Sequence, residues 1–234
     1  WSDPMDFLIE IAQKYKRNHS EWIRHLAQRD EMRESEINEK SKTQDGLGLN
    51  PLSLFKKLDQ HLSDDAILIA DGGDFVATAS YTLRARKPLS WLDPGVYGTL
   101  GVGAGFALGA KLVYPDKDVW IIYGDGSAGY SLVEYDTFHR LGLPIISLIG
   151  NDACWGQIAR DQLDLLGSEC ALILEHSEYQ KIANAFSGDG QRVETMEAFE
   201  QSIANAQKSI TQNVPYIINA ILSKSDFRKG SISV

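Results

Sequence analysis

Cysteine is scarce in this chain: Cys154 and Cys170 are the only two among 234 residues. Two thiols make neither a disulfide framework nor a four-ligand zinc site, so both are read as buried or merely tolerated. Long apolar runs are also missing, and none approaches the roughly 20 residues of a membrane span. No signal peptide is expected within these residues. The first residue is Trp1 instead of methionine, and the chain is expected to be a piece of a longer protein whose targeting segments lie outside it. Basic excess is absent too. There are 23 Lys and Arg against 32 Asp and Glu, a formal charge of −9 and a pI near 5.0. With no basic stripe, nucleic acid is not an expected partner. No Ser-His-Asp set has usable spacing. No GxGxxG opens the first strand–helix unit, where Asp71-Gly72-Gly73-Asp74 stands instead, which argues against a dinucleotide site.

What is there suits one large globular domain with an appendage: 43% hydrophobic and 24% charged residues. Residues 4 to about 42 read as a weakly amphipathic, highly charged helical stretch. Asp3-Pro4 supplies its cap and first position, and His19-Ser20 is a possible break. Asn50-Pro51 opens a second helix. Capped or periodic helices are then expected over Phe75–Leu83, Ala104–Leu112, Ser131–Leu141, Tyr179–Phe186 and Met196–Gln212. The one at Ser131 carries a capping-box pattern ending on Glu134. Between them lie apolar runs at Ala66–Ala70, Val119–Tyr123, Pro144–Ile149 and Val214–Leu222, with shorter candidates near Pro88–Leu92 and Gln191–Val193. Uninterrupted apolar strands alternating with helices imply an α/β fold, a parallel sheet with helices on both faces. The expected division is a charged helical linker over 1-47, a main domain over 48-225 and a tail over 226-234.

Two motifs follow two of these strands. Gly124-Asp125-Gly126-Ser127 comes directly after Val119–Tyr123, and Asn151 stands 26 positions beyond Asp125, just past Pro144–Ile149. Polar oxygens therefore sit at the carboxyl ends of two strands, where open α/β sheets bind ligands. Gly124 and Gly126 let the backbone approach an anion closely. Asp125 and Asn151 offer hard oxygens of the kind Mg²⁺ takes, the ion completing its shell with phosphate oxygens. The combination suggests a metal-bridged diphosphate. Two ordinary turns after buried strands are the plainer alternative.

The pattern resembles the signature of thiamine-diphosphate enzymes, a GDG followed after 25–30 residues by asparagine. Over about residues 48 to 225 the chain is similar to the C-terminal cofactor-binding domain of the acetolactate synthase group. Its wording resembles further the acetolactate synthase-like, or 2-hydroxyacyl-CoA lyase 2, subgroup. That finer resemblance rests on Asp71-Gly72-Gly73-Asp74-Phe75-Val76, Trp91-Leu92-Asp93-Pro94-Gly95, Tyr97–Gly105, Gly150-Asn151-Asp152-Ala153, and the tail Asp226-Phe227-Arg228 with Gly230-Ser231-Ile232.

The resemblance implies a thiamine diphosphate and Mg²⁺ site. Asp125, the Asn151 side chain and the Ala153 carbonyl would be the metal ligands. Many relatives have glycine at the Ala153 position, and alanine serves equally there only if its φ is negative. Asp152 is read as structural or solvated. Gly124, Gly126 and Ser127 would hold the diphosphate, with Gly73 approaching from the other side. The carbonyl of Gly98 would meet the aminopyrimidine, and Leu100 would prop the cofactor into its bent form. Asp74, an acid that would repel phosphate beside it, is read as bonding a backbone amide or pointing away. Trp155 packs on the metal loop or faces the substrate, and His139 and His176 take ordinary surface or packing roles. The activating glutamate would lie outside this chain, on a pyrimidine-binding domain of the same longer protein in a homo-oligomer. The implied reaction is magnesium-dependent lyase cleavage of a 2-hydroxyacyl-CoA to an aldehyde and formyl-CoA. The alternatives are acetolactate synthase-type transferase condensation of 2-oxo acids, or a non-catalytic assembly module. An intracellular place is implied, with the longer protein anchored at the endoplasmic reticulum in some relatives.

Overall fold

In the computed structural model, residues 3–14, 18–43 and 46–228 are described. The tail segment Gly230-Ser231-Ile232 that contributed to the resemblance lies outside them. Contacts divide the chain into Trp1–Glu39 and Lys40–Val234. The first unit carries two helices, α1 (Pro4–Lys14) and α2, which starts at Ser20 and runs to Lys40. Asp3 Oδ1 accepts from the Met5 amide at 2.7 Å, as the cap requires. Phe7, Leu8 and Ile11 form an exposed apolar stripe on α1, and Trp22 stacks near His25 on α2.

The second unit is a six-stranded, wholly parallel sheet in the order β2-β1-β3-β4-β6-β5. In chain order, α3 (Pro51–His61) precedes β1 (Ile67–Ala70). Then come α4 (Asp74–Thr82), β2 (Trp91–Leu92), α5 (Gly103–Val113), β3 (Val119–Gly124), a short α6 (Asp125–Ala128) and α7 (Tyr135–Arg140). The remainder is β4 (Ile146–Asn151), α8 (Gly156–Leu166), α9 (Gln180–Ala185), β5 (Asp189–Val193), α10 (Met196–Thr211) and β6 (Tyr216–Ile221). Asn50 caps α3 through Oδ1 to the amides of Leu52 and Ser53.

The period-two alternation of strand side chains splits each apolar run between two cores. Leu68, Ile122, Leu148 and Ile218 pack with α3, α4 and α10 on one face. Ile69, Ile121, Ile149 and Ile217 pack with α5, α7 and α9 on the other. Helices cover both faces, as the sequence implies. The capping box at Ser131 does not form: residues Leu132–Glu134 make a 3₁₀ turn without a side-chain cap. The Ser131 hydroxyl instead pairs with the buried Tyr123 hydroxyl at 3.0 Å. A buried phenol needs a partner, and it takes the serine from the helix start.

The helices after β1 and β3 fall on opposite faces, α4 on one and α7 on the other. Neighbouring strands whose chains leave in opposite directions open a crevice at their carboxyl ends, where α/β sheets bind ligands. No described helix is long and apolar enough to cross a membrane.

Candidate cofactor and metal site

The crevice between β1 and β3 is built largely from glycine. The Gly124 amide donates to the Gly72 carbonyl at 3.1 Å, and the Cα of Gly124 lies 3.6 Å from where a Gly73 Cβ would stand. Gly73 has φ +105° at the start of α4, a conformation that side chains resist. Leu100 lies across Gly72, and a Cβ there would collide with its Cδ2. Leu100 is thus held beside the loops that follow β1 and β3. Gly98 is left-handed, φ +56°, and ends the 3₁₀ turn Gly95–Tyr97.

Two residues outside the motif hold this wall. Asp71, 2% exposed, accepts from the Gly101 amide at 2.9 Å and the Gly103 amide at 2.6 Å. It ties the glycine-rich segment to the end of β1. Burial raises its pKa, while both amides and Ser127 work the other way. Trp155 lays its indole on Gly126, within 2.7 Å of a hypothetical Cβ, so it packs against the Gly124–Ser127 loop.

Asp125 is 3% exposed and its Oδ2 is buried with no hydrogen-bond partner. Burial raises its pKa, because desolvation penalises the charged form. A cation at Oδ2 would relieve both conditions. Asn151 is fully buried on the neighbouring strand end. Its Nδ2 donates to the Ser177 carbonyl at 3.2 Å and to Asn219 Oδ1 at 3.1 Å, and its Oδ1 lies 3.2 Å from His176 Nδ1. His176, expected to be ordinary, thus touches a proposed ligand. Among the described residues no three His, Cys, Asp or Glu side chains converge on a metal position. One carboxylate with neutral amide and carbonyl oxygens is instead a set suited to a hard cation that takes further oxygens from phosphate. The residues present therefore fit a metal bound to diphosphate.

Ala153 departs from expectation. Its φ is +53°, in the left-handed region, so the condition for alanine to equal glycine is not met. The alanine carries a Cβ penalty there. Ser127 also differs: its hydroxyl donates inward, to Gly72 O and Gly124 O at 3.0 Å each. The Gly126 amide donates to Asp125 Oδ1 at 2.7 Å. Both donors assigned to the diphosphate are engaged within the loop here. Asp74 instead pairs with arginine side chains, Arg160 at 2.6 Å and Arg228 at 3.8 Å. Asp152 is pushed up to about 7, first by burial and then by the charges of Asp125 and Asp74. Desolvation and two neighbouring carboxylates thus both disfavour its charged form.

The cleft enclosed by Gly72, Gly73, Gly124–Ser127 and Trp155 has a volume of about 40 Å³, room for an ion and a water but not for a whole cofactor. A broader cleft of about 810 Å³ adjoins it past Asp74 and Asp152. Six carboxylates line it, among them Asp161 and Asp164, against Arg160 and Lys224. Such a surface repels polyphosphates.

Residues 71–220 match the family described as thiamine pyrophosphate enzyme, C-terminal TPP binding domain. The chain belongs to that family. The matched span contains both strand-end loops and the buried Asp125, and it identifies the cofactor of this fold as thiamine diphosphate. The chain is 44% identical over 236 residues to 2-hydroxyacyl-CoA lyase 2 of Danio rerio, covering 99% of this chain and 38% of that protein. It is 30% identical over 219 residues to an acetolactate synthase large subunit of Mycobacterium tuberculosis, covering 93% and 39%. The solved structure of a thiamine diphosphate-dependent 4-hydroxybenzoylformate decarboxylase from Rhodococcus jostii superposes with a TM-score of 0.71 at 25% identity, over 79% of this chain and 34% of that one. The chain thus spans under two-fifths of the relatives it matches.

Sequence reasoning passed over Asp71 and Asn219 as functional residues. Both left a signal: each is a polar residue at or inside an otherwise apolar run, Ala66–Ala70 and Tyr216–Ile221.

Proposed function

We propose that this chain is the metal- and diphosphate-binding half-site of a thiamine diphosphate- and Mg²⁺-dependent carbon–carbon lyase that cleaves 2-hydroxyacyl-CoA to an aldehyde and formyl-CoA. The observation that carries the metal site is the orphaned, buried Oδ2 of Asp125 beside Asn151 at paired strand ends. The higher identity to lyases than to an acetolactate synthase, 44% against 30%, favours the lyase reaction. Thiamine diphosphate, when bound, supplies a carbanion and an electron sink.

This chain's residues hold and orient. Asp125 provides charge for Mg²⁺, with the Asn151 side chain and the Ala153 carbonyl as neutral ligands. Gly73, Gly124 and Gly126 allow close backbone approach to the diphosphate, and Ser127 braces their loop from behind. Gly98 and Leu100 form one wall for the aminopyrimidine. Trp155 excludes water from one side of Gly126. The acidic 810 Å³ cleft disfavours the CoA phosphates, which therefore lie elsewhere in the assembled protein. The activating glutamate and the opposite wall come from a pyrimidine-binding domain of the same longer protein, in a homo-oligomer.

Turnover of the whole protein on a 2-hydroxyacyl-CoA and on pyruvate tests the reaction directly. Aldehyde release from the thioester, with little acetolactate from pyruvate, is expected. The reverse preference would replace the lyase with a 2-oxo acid condensation.

A further inference from the structure

Behind Asn151 runs a chain of amides whose polarity is set from outside. Glu178 is paired with Arg192 at 2.6 Å, and its ionised carboxylate only accepts hydrogen bonds. Gln180 must therefore turn Nε2 toward it, which it does at 2.8 Å. That leaves Gln180 Oε1 facing inward, where it accepts from Asn219 Nδ2 at 2.9 Å. The same Nδ2 donates to the Ser177 carbonyl at 2.9 Å, another group that only accepts. Asn219 is thereby fixed with Oδ1 toward Asn151, and Asn151 answers with Nδ2 at 3.1 Å. Ser177 O receives the second hydrogen of that amide at 3.2 Å. Both donors of Asn151 are now spent, and its Oδ1 faces away from the relay. His176 Nδ1 reaches that oxygen at 3.2 Å, and a carbonyl oxygen has a second lone pair for a cation.

We propose that Asn219 is a positioning residue: through the order Glu178, Gln180, Asn219, it fixes the amide of Asn151 so that Oδ1, and not Nδ2, is presented to the metal. Asn219 and Asn151 are both fully buried, and they sit on adjacent strands, with Ile149 opposite Asn219. An unanchored Asn151 could turn its amide through half a rotation at little steric cost, since oxygen and NH₂ are nearly the same size. A flipped amide would aim hydrogens at the ion. The relay makes that state costly, because it would set oxygen against oxygen at both Asn219 and Ser177. Outer partners that orient ligands in this way typically govern metal affinity by 10–100-fold.

The inference rests on the metal reading of Asp125 and Asn151 given above, and the test separates the two. In the whole protein, Mn²⁺ affinity in the presence of thiamine diphosphate is measured by electron paramagnetic resonance for wild type, Asp125→Ala, Asn219→Leu and Gln180→Met, alongside thermal unfolding without metal. Loss of Mn²⁺ binding in Asp125→Ala together with a roughly 10–100-fold loss in folded Asn219→Leu, and a smaller loss in Gln180→Met, is the expected result. If Asn219→Leu does not fold, the Gln180→Met loss carries the test. Loss in Asp125→Ala with Mn²⁺ affinity within threefold of wild type in folded Asn219→Leu, or in folded Gln180→Met where that variant stands in, would leave Asn219 a packing residue. Unchanged affinity in Asp125→Ala would remove the metal site, and the positioning role with it.

Discussion

The two sides of the strand-end crevice are made from different materials. On the β1–β3 side the wall is glycine, with Gly72, Gly73, Gly101, Gly103, Gly124 and Gly126 placed where a Cβ would meet a neighbouring segment. On the β4–β6 side it is side chain, with Asn151, Asn219 and Gln180 joined by directed hydrogen bonds. The first wall fails when an atom is added, and the second when a polar atom is removed. The difference matters for a ligand with two parts. An anionic diphosphate is met by close backbone approach, whereas a metal demands particular oxygens in particular orientations.

The comparison can be broken most severely at Gly101. Its φ is +84° and a Cβ would lie 2.6 Å from that of Tyr130. Gly101→Val combines left-handed strain with overpacking and should cost about 3 kcal/mol or more, read by chemical denaturation of the whole protein. Asp71→Ala attacks the same wall by the opposite route. It leaves the amides of Gly101 and Gly103 without their acceptor, and about 2 kcal/mol should be lost. Cofactor affinity should fall as well, because the segment carrying Gly98 and Leu100 comes loose from β1. A variant with lost stability but unchanged affinity would show that Asp71 serves the fold alone.

The smallest effect has the opposite sign. Ala153→Gly relieves a left-handed alanine at φ +53° and should stabilise by about 1 kcal/mol, raising the thermal midpoint while leaving the carbonyl in place. A lower midpoint would mean that the methyl packs well enough to outweigh the strain.

What could be read in the sequence follows the same division. The backbone wall was legible because glycine has few reasons to recur after apolar strands, and GDG with a distant asparagine is a spaced pattern. The parallel sheet was legible from uninterrupted runs such as Val119–Tyr123. Beyond Asn151 the side-chain wall was not, since Ser177, Gln180 and Asn219 stand up to 68 positions from it and meet it only once β4 and β6 pair. Local rules also failed where a tertiary partner competed. Ser131 left its capping box for Tyr123, and Ser127 turned inward to two carbonyls instead of outward to an anion. His176 came from a loop with no periodicity to announce it.

If Asp125 holds a divalent ion which in turn holds the diphosphate, cofactor binding must depend on both the ion and the carboxylate. Calorimetric titration of thiamine diphosphate into the whole protein, with and without Mg²⁺, for wild type and Asp125→Ala, tests it most directly. The wild type should bind only with Mg²⁺ present, and Asp125→Ala should show no magnesium-dependent binding while remaining folded. Equal affinity in the two proteins, or binding indifferent to Mg²⁺, would contradict the account.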